Sequence, residues 1–230
     1  MNRIVLTTFL IMSSIVALFA QEKTNSPNPL IPLDTEWKKS VYQFSQDSLV
    51  HPAWGHEHYE RDYLLCLKMA EMDSLEIDRD VLFAATFLHD LGVFSPYSVE
   101  GKRHEEASAI HAPDKLEAWG FPMEKIEAVK TTILSHHKSV EDLPDLPEAW
   151  LLRDADFLDF RGIIGVARLI AVTENNAFML NAKNAIESFM KATPDECKTY
   201  AAKSMINERV KEMKDFFAIL ETESFGFEAL

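Results

Sequence analysis

The sequence predicts an all-α protein, and three observations carry that reading. From residue 34 onward the apolar residues recur with the 3.6-residue helical period, and no segment alternates convincingly as a strand does. Prolines stand where helices begin, at Pro122 and Pro147, and Gly120 stands where one ends. With 47% hydrophobic and 26% charged residues over 230 positions, the chain can bury one sizeable core without disulfides.

The elements follow in order. Residues 35–49 form a first helix with Asp34 or Thr35 as its cap. Tyr59, Tyr63, Leu64, Leu67 and Ala70 make one apolar stripe of a second. Asp80 introduces residues 81–88, apolar but for Thr86, a helix buried on nearly every side that ends in His89-Asp90. Gly92 and Pro96 mark a loop, and a helix starts near Lys102, bent or restarted at Pro113. Helices at 123–136, 148–160, 162–173, 176–191 and 194–220 complete the set. There is no internal repeat. The economical architecture is one compact helical bundle over residues 35–230.

The first 34 residues differ. Arg3 precedes an almost unbroken apolar run from 4 to 20, which turns polar at Gln21-Glu22-Lys23. This pattern predicts a signal peptide over 1–20, cleaved after Ala20, and an exported, periplasmic protein with no membrane span after cleavage. Leu18 is not the preferred small residue before such a cut, and an uncleaved anchor helix is the alternative. No cysteine follows the run, which excludes a lipoprotein anchor. Residues 21–34, with three prolines, read as a linker.

Composition narrows the function classes. A net charge of −14 argues against binding a nucleic-acid backbone by charge alone. It leaves room for a small phosphorylated substrate, because a bound metal reverses the local sign. Cys66 and Cys197 are too few for a disulfide scaffold, and a buried free thiol suits the apolar surroundings of Cys66. With seven glycines and no GxGxxG or GxxxxGK[ST], a Gly-rich nucleotide loop is not expected.

All eight histidines fall between His51 and His137, and donors recur in the order His58, His89-Asp90, His104, His136-His137, Asp156. His89-Asp90 follows a buried apolar run; a carboxylate buried there unpaired is costly or becomes protonated, a cation is the simplest compensation, and a helix-terminal pair facing solvent is the alternative reading. Ala149, Leu152 and Asp156 share a helix face, so Asp156 looks inward, while Asp154 falls elsewhere on the wheel and is expected to be solvated. Asp159, one turn beyond Asp156, is placed to orient a ligand. His104 shares a face with Ala107, Ser108 and His111, and His136 is favoured over His137 as the inward residue. His51 and His56 read as loop or capping residues, with His58 preferred because it leads His58-Tyr59-Glu60-Arg61.

That order resembles the HD superfamily of metal-dependent phosphohydrolases. His58-x-x-Arg61 resembles the family's first motif and Phe87-Leu88-His89-Asp90-Leu91-Gly92 its second. His104-Glu105-Glu106-Ala107-Ser108 is similar to the His-Glu-x-Gly-Ala stretch of one bacterial subgroup. Asp154-Ala155-Asp156-Phe157-Leu158-Asp159, followed by Gly162-Ile163-Ile164-Gly165-Val166-Ala167-Arg168, is similar to its DADRLD…GAIGIAR segment. The resemblance covers roughly residues 45–222. Phe157 stands where the family usually has Arg or Lys, Asp62 where it usually has Val, and export is unusual for the subgroup.

The resemblance implies a compact HD-domain helical bundle in which His58, His89, Asp90 and Asp156 hold a divalent ion (Mn, Fe, Co, Ni, Mg or Zn). It implies a metal-dependent phosphohydrolase acting through activated water, with Asp90 catalytic; Arg61 and Lys138, near the ligands in sequence, are candidates to bind the phosphate, an ordinary solvated charge being the alternative for each. Arg103 is a further candidate for the phosphate, and Lys102 reads as a solvated charge. His104 and His136 serve either a second metal or the substrate phosphate. Two alternatives share these residues: a di-iron oxygenase of the HD type, and a non-catalytic metal-binding HD module.

Overall fold

The computed structural model describes residues 26–137, 140–173 and 178–230. Contacts divide the chain into two units after Ile31, of which the second, Pro32–Leu230, is compact. In the described part of the first unit, Asn28 closes a turn at Pro29 and Leu30 by accepting from the Ile31 N–H at 3.0 Å. The expected signal segment, residues 1–20, lies outside the described residues.

The second unit is all-α. Among the described residues it holds nine α-helices, three 3-10 turns and no strand. Helix α1 is Glu36–Ser48, capped by Thr35, whose Oγ1 accepts from the Lys38 N–H. Helix α2, His56–Met72, buries Tyr59, Tyr63, Cys66, Met69 and Ala70. The expected stripe is therefore corrected in part: Leu64 and Leu67 lie at its margin, half-buried, and Cys66 and Met69 take their place.

Helix α3, Arg79–Leu88, is buried at every position from Val81 on, as expected for its sequence. Its cap is Asp78, which accepts from the Asp80 and Val81 N–H groups, so the start lies two residues before the expected one. Phe83 and Phe87 stack 4.6 Å apart at the centre of the core, and Trp37 meets Phe83 edge-on at 5.6 Å. Helix α4, His104–Ala118, runs through Pro113 without a restart, and Gly120 ends it at φ +80°.

Helix α5 is Ile126–Ser135; the expected first turn after Pro122 is instead a separate 3-10 turn, Met123–Lys125. Helix α6 is Pro147–Asp159, with proline in its first turn. Helices α7, Gly162–Ala171, α8, Phe178–Phe189, and α9, Tyr200–Glu223, follow. Val166, Leu169, Ile186 and Met213 from these three helices form a cluster of their own.

Asp154 corrects another expectation. It is fully buried, and it accepts from the Lys198 N–H, the Thr199 N–H and the Thr199 hydroxyl. Thr199 in turn caps α9, so the last helix begins there and not at Pro194, which opens a 3-10 turn. Cys66 and Cys197 are both buried and free.

Two packing features position the site. Helix α2 lies on α6, which sets His58 against Asp156 and Asp159. Gly92, just after α3, touches α4: a Cβ there would stand 2.3 Å from the His104 carbonyl oxygen. Only glycine allows that approach, and it brings Asp90 beside His104.

Candidate metal centre

His58 occupies the first turn of α2 and is buried. Its Nδ1 lies 2.9 Å from Asp159 Oδ2. Asp159 also accepts from Arg61 Nε at 2.8 Å and from Arg168 Nη1 at 2.7 Å. Burial alone would raise the Asp159 carboxyl, but these cations and His58 outweigh it and hold it far below the carboxylate range.

His89 and His136 use one local device. Each follows the last residue of a helix and turns Nδ1 back to a carbonyl three residues earlier, Thr86 at 2.8 Å and Ile133 at 2.6 Å. A carbonyl only accepts, so Nδ1 carries a proton in each ring and Nε2 faces inward; that of His89 is without a hydrogen-bond partner, and that of His136 lies within hydrogen-bond distance of His104. His104, at the start of α4, has Nδ1 3.3 Å from Glu105 Oε2 and Nε2 3.1 Å from His136 Nε2.

The carboxylates meet these nitrogens. Asp90 has Oδ2 3.4 Å from His89 Nε2, and Oδ1 3.4 Å from His104 Nε2 and 3.8 Å from His136 Nε2. Asp156 Oδ1 is 3.3 Å and Asp62 Oδ2 is 3.2 Å from His58 Nε2. Ligand atoms of His58, Asp62, His89 and Asp156 all lie within 4.8 Å of one another, as do those of His89, Asp90 and His136. The nitrogens His58 Nε2 and His89 Nε2 and both Asp62 oxygens are buried without a hydrogen-bond partner.

Such a convergence of acceptors repels itself unless a cation sits among them. The electrostatics carry the same sign. Burial opposes charge on His89, but Asp90 and Asp156 outweigh it and raise its proton affinity. Burial also raises Asp156, and His58 and His89 more than reverse it, to about 2. His136 is pushed down to about 4 by burial and by His89. A proton and a metal compete for the same lone pairs, so a site that draws protons onto His89 while keeping His136 neutral suits a divalent ion. Two imidazoles with carboxylates fit Mn, Fe, Co, Ni or Zn.

The donors face a cavity of about 470 Å³. Asp90, His104, His136 and Asp156 form its polar wall; Trp54, Phe157, Phe160 and Phe189 form its apolar one. Arg161 also lines it, buried, with its guanidinium 3.5 Å above the Phe157 ring and Nη1 donating to the Phe157 carbonyl. No carboxylate pairs with Arg161 among the described residues, and burial lowers it to about 10.

The six donors chosen from sequence are therefore brought together. Arg61 is placed otherwise than expected: its guanidinium is engaged by Asp159, away from the cavity wall, because a buried carboxylate one helix away outcompetes solvent for it. Lys138 lies outside the described residues. Arg103 pairs with Glu105 at 3.0 Å and Lys102 with Glu106 at 3.6 Å. His56 turns away to Ser45 Oγ at 2.7 Å, and His51 Nδ1 accepts from the Ala53 and Trp54 N–H groups. Sequence reasoning missed Asp62 and Arg161. The signal for both was spacing: Asp62 is four residues after His58 and Arg161 four after Phe157, each one turn along the same face.

Known proteins are similar to this chain in sequence and in fold. Residues 55–161 match the family model described as HD domain. The chain is similar to the 3'-5' exoribonuclease YhaM of Bacillus velezensis, 28% identical over 147 residues, which is 54% of this chain and 47% of that protein. It thus spans about half the length of that curated relative. Its fold is similar to an HD-superfamily hydrolase from Bacillus thuringiensis, with a TM-score of 0.57 and 23% identity over 81% of this chain and 95% of that one. It is also similar to Bacillus subtilis YpgQ in complex with ADP, with a TM-score of 0.53 and 18% identity over 81% and 97% of the two chains.

Proposed function

The chain is a member of the HD superfamily through the domain at residues 55–161, and from that premise we propose that it is a metal-dependent hydrolase of small phosphoesters. The observation that supports this best is the pair of buried imidazole nitrogens without a hydrogen-bond partner, His58 Nε2 and His89 Nε2, that meet Asp156 and Asp90, two carboxylates of a cavity wall. His58, His89, Asp90 and Asp156 would hold the ion. A divalent ion there supplies Lewis acidity toward a phosphoryl oxygen and lowers the pKa of water.

The chain's own residues do the rest. Asp159 fixes the ring and tautomer of His58. Arg161, a buried cation with no carboxylate in ion-pair contact among the described residues, receives the substrate anion, and the rings of Phe157, Phe160 and Phe189 take its organic part. A nucleotide has both features. That the related fold binds ADP and the curated relative acts on RNA supports testing nucleotides first. The charge of −14 favours a short substrate over a long polyanion. We place the reaction outside the cytoplasm, on the apolar run at residues 4–20, and no described helix is long and apolar enough to cross a membrane.

The test is hydrolysis of a panel of nucleotides and aryl phosphates by chelator-stripped protein, resupplied with single divalent metals. Activity should require the metal and vanish, with bound metal, in His89→Ala and Asp90→Ala. Full activity in Asp90→Ala would end the assignment. The grouping of Asp90 with His104 and His136 favours one second reading, a di-iron oxygenase; O₂ uptake that depends on iron, with no phosphate release, would select it.

A further inference from the structure

Asp62 lies one helical turn beyond His58 on α2 and is fully buried. Both of its oxygens are without a hydrogen-bond partner, and no lysine or arginine pairs with it among the described residues. Valine, usual at this position in the family it resembles, would be at ease in such a place; a carboxylate is not, unless something positive meets it.

His58 does not supply that charge fully. Its Nδ1 is committed to Asp159, and its Nε2 faces two carboxylates at once, Asp62 at 3.2 Å and Asp156 at 3.3 Å. A protonated Nε2 could donate to one of them only, and one Asp62 oxygen would stay bare in either case. His89 Nε2, also without a partner, closes the group, and the four ligand atoms fall within 4.8 Å of one another, the span of a single coordination sphere.

We infer that Asp62 is itself a ligand of the inner ion, joining His58, His89 and Asp156. The added carboxylate gives the inner position a second anionic oxygen and makes it a harder site, one that favours Mn²⁺ or Fe²⁺ over Zn²⁺ more than the HD motif alone would. Asp90, whose Oδ2 meets His89 and whose Oδ1 faces His104 and His136, completes the ligand set from the outer side. Asp62 is a metal-binding residue on this reading and does not touch substrate.

The test is metal affinity measured by chelator competition with Mn²⁺ and with Zn²⁺, on the full chain and on Asp62→Val and Asp62→Asn. Mn²⁺ affinity should fall about ten-fold or more in Asp62→Val, Zn²⁺ affinity should fall less, and the thermal midpoint of the metal-free protein should hold or rise. Unchanged Mn²⁺ affinity would overturn the inference. So would a lower metal-free midpoint with unchanged affinity, which would make Asp62 the partner of a charged His58. Should the valine variant not fold, the visible spectrum of the Co²⁺ form decides between wild type and Asp62→Asn: a changed spectrum supports ligation and an identical one refutes it. A wild-type chain that binds no divalent ion would overturn the hydrolase reading as well, whereas binding indifferent to residue 62 would overturn this inference alone.

Discussion

His58 and His104 both enter the donor cluster from the first turn of a helix, yet His58 is sealed, with 1% of its side chain exposed, and His104 is open, with 31%. The inner ring is held by Asp159, itself clamped by Arg61 of α2 and Arg168 of α7. The outer ring leans on Glu105, its own neighbour in sequence. The difference separates two jobs within one cluster. A ligand whose orientation is fixed by buried, charged partners keeps its geometry with or without the ion. A ligand at the mouth of a cavity, held locally, can shift as substrate enters.

The largest effect should come from removing the clamp. Asp159→Ala leaves Arg168 buried without its carboxylate, and breaking a buried ion pair from one side costs roughly 3–5 kcal/mol. Chemical denaturation of the metal-free protein should show that loss, and metal affinity should fall about 10- to 100-fold because His58 is no longer oriented. The comparison breaks if Asp159→Ala costs no more stability than His104→Ala.

Arg161 tests whether the cavity wall is separable from the inner cluster. Arg161→Gln should raise KM for a phosphoester by about ten-fold or more, on the order of one hydrogen bond to a charged group, with bound metal unchanged. Arg161→Lys should recover little, since an ammonium lacks the planar fork that lies over Phe157. Loss of metal in either variant would place Arg161 in the metal cluster and erase the separation.

These effects also mark what the sequence made legible. The all-α class, the buried helix ending at His89-Asp90 and the meeting of six distant donors were readable, because each rests on helical periodicity or on an ordered motif. What escaped depends on partners far apart in the chain. Asp154 looks solvated on a helical wheel; its partners are the backbone of Lys198 and the cap of α9. Arg61 looks like a phosphate ligand until Asp159, on another helix, takes its guanidinium. Leu64 and Leu67 fit a 3.6-residue stripe as well as Cys66 and Met69 do, and only packing against the neighbouring helices chooses the face. Asp62 was visible as a departure from motif, but a burial cost with no partner is a three-dimensional fact.

The smallest effect, and the sharpest test, lies in the two outer histidines. Sequence reasoning expects His104→Ala and His136→Ala to behave alike, as two residues serving one outer position. Their surroundings separate them. His136 is buried, tied to the Ile133 carbonyl and pushed down to about 4 by burial and His89, so at neutral pH its Nε2 offers a lone pair between His104 Nε2 at 3.1 Å and Asp90 Oδ1 at 3.8 Å. His104 is part-exposed, on the rim of the cavity. His136→Ala should therefore lower metal affinity about ten-fold, because a buried neutral imidazole is a ready ligand and its loss leaves a hole beside Asp90. His104→Ala should keep wild-type metal content after dialysis and raise KM by only about three- to ten-fold, the scale of one exposed polar contact to substrate. Metal analysis of both variants beside wild type, with no metal added, separates the cases. A drop from two equivalents to one in both would mean that His104 and His136 hold a second ion together, and the sealed and open halves would then be two metal positions sharing Asp90.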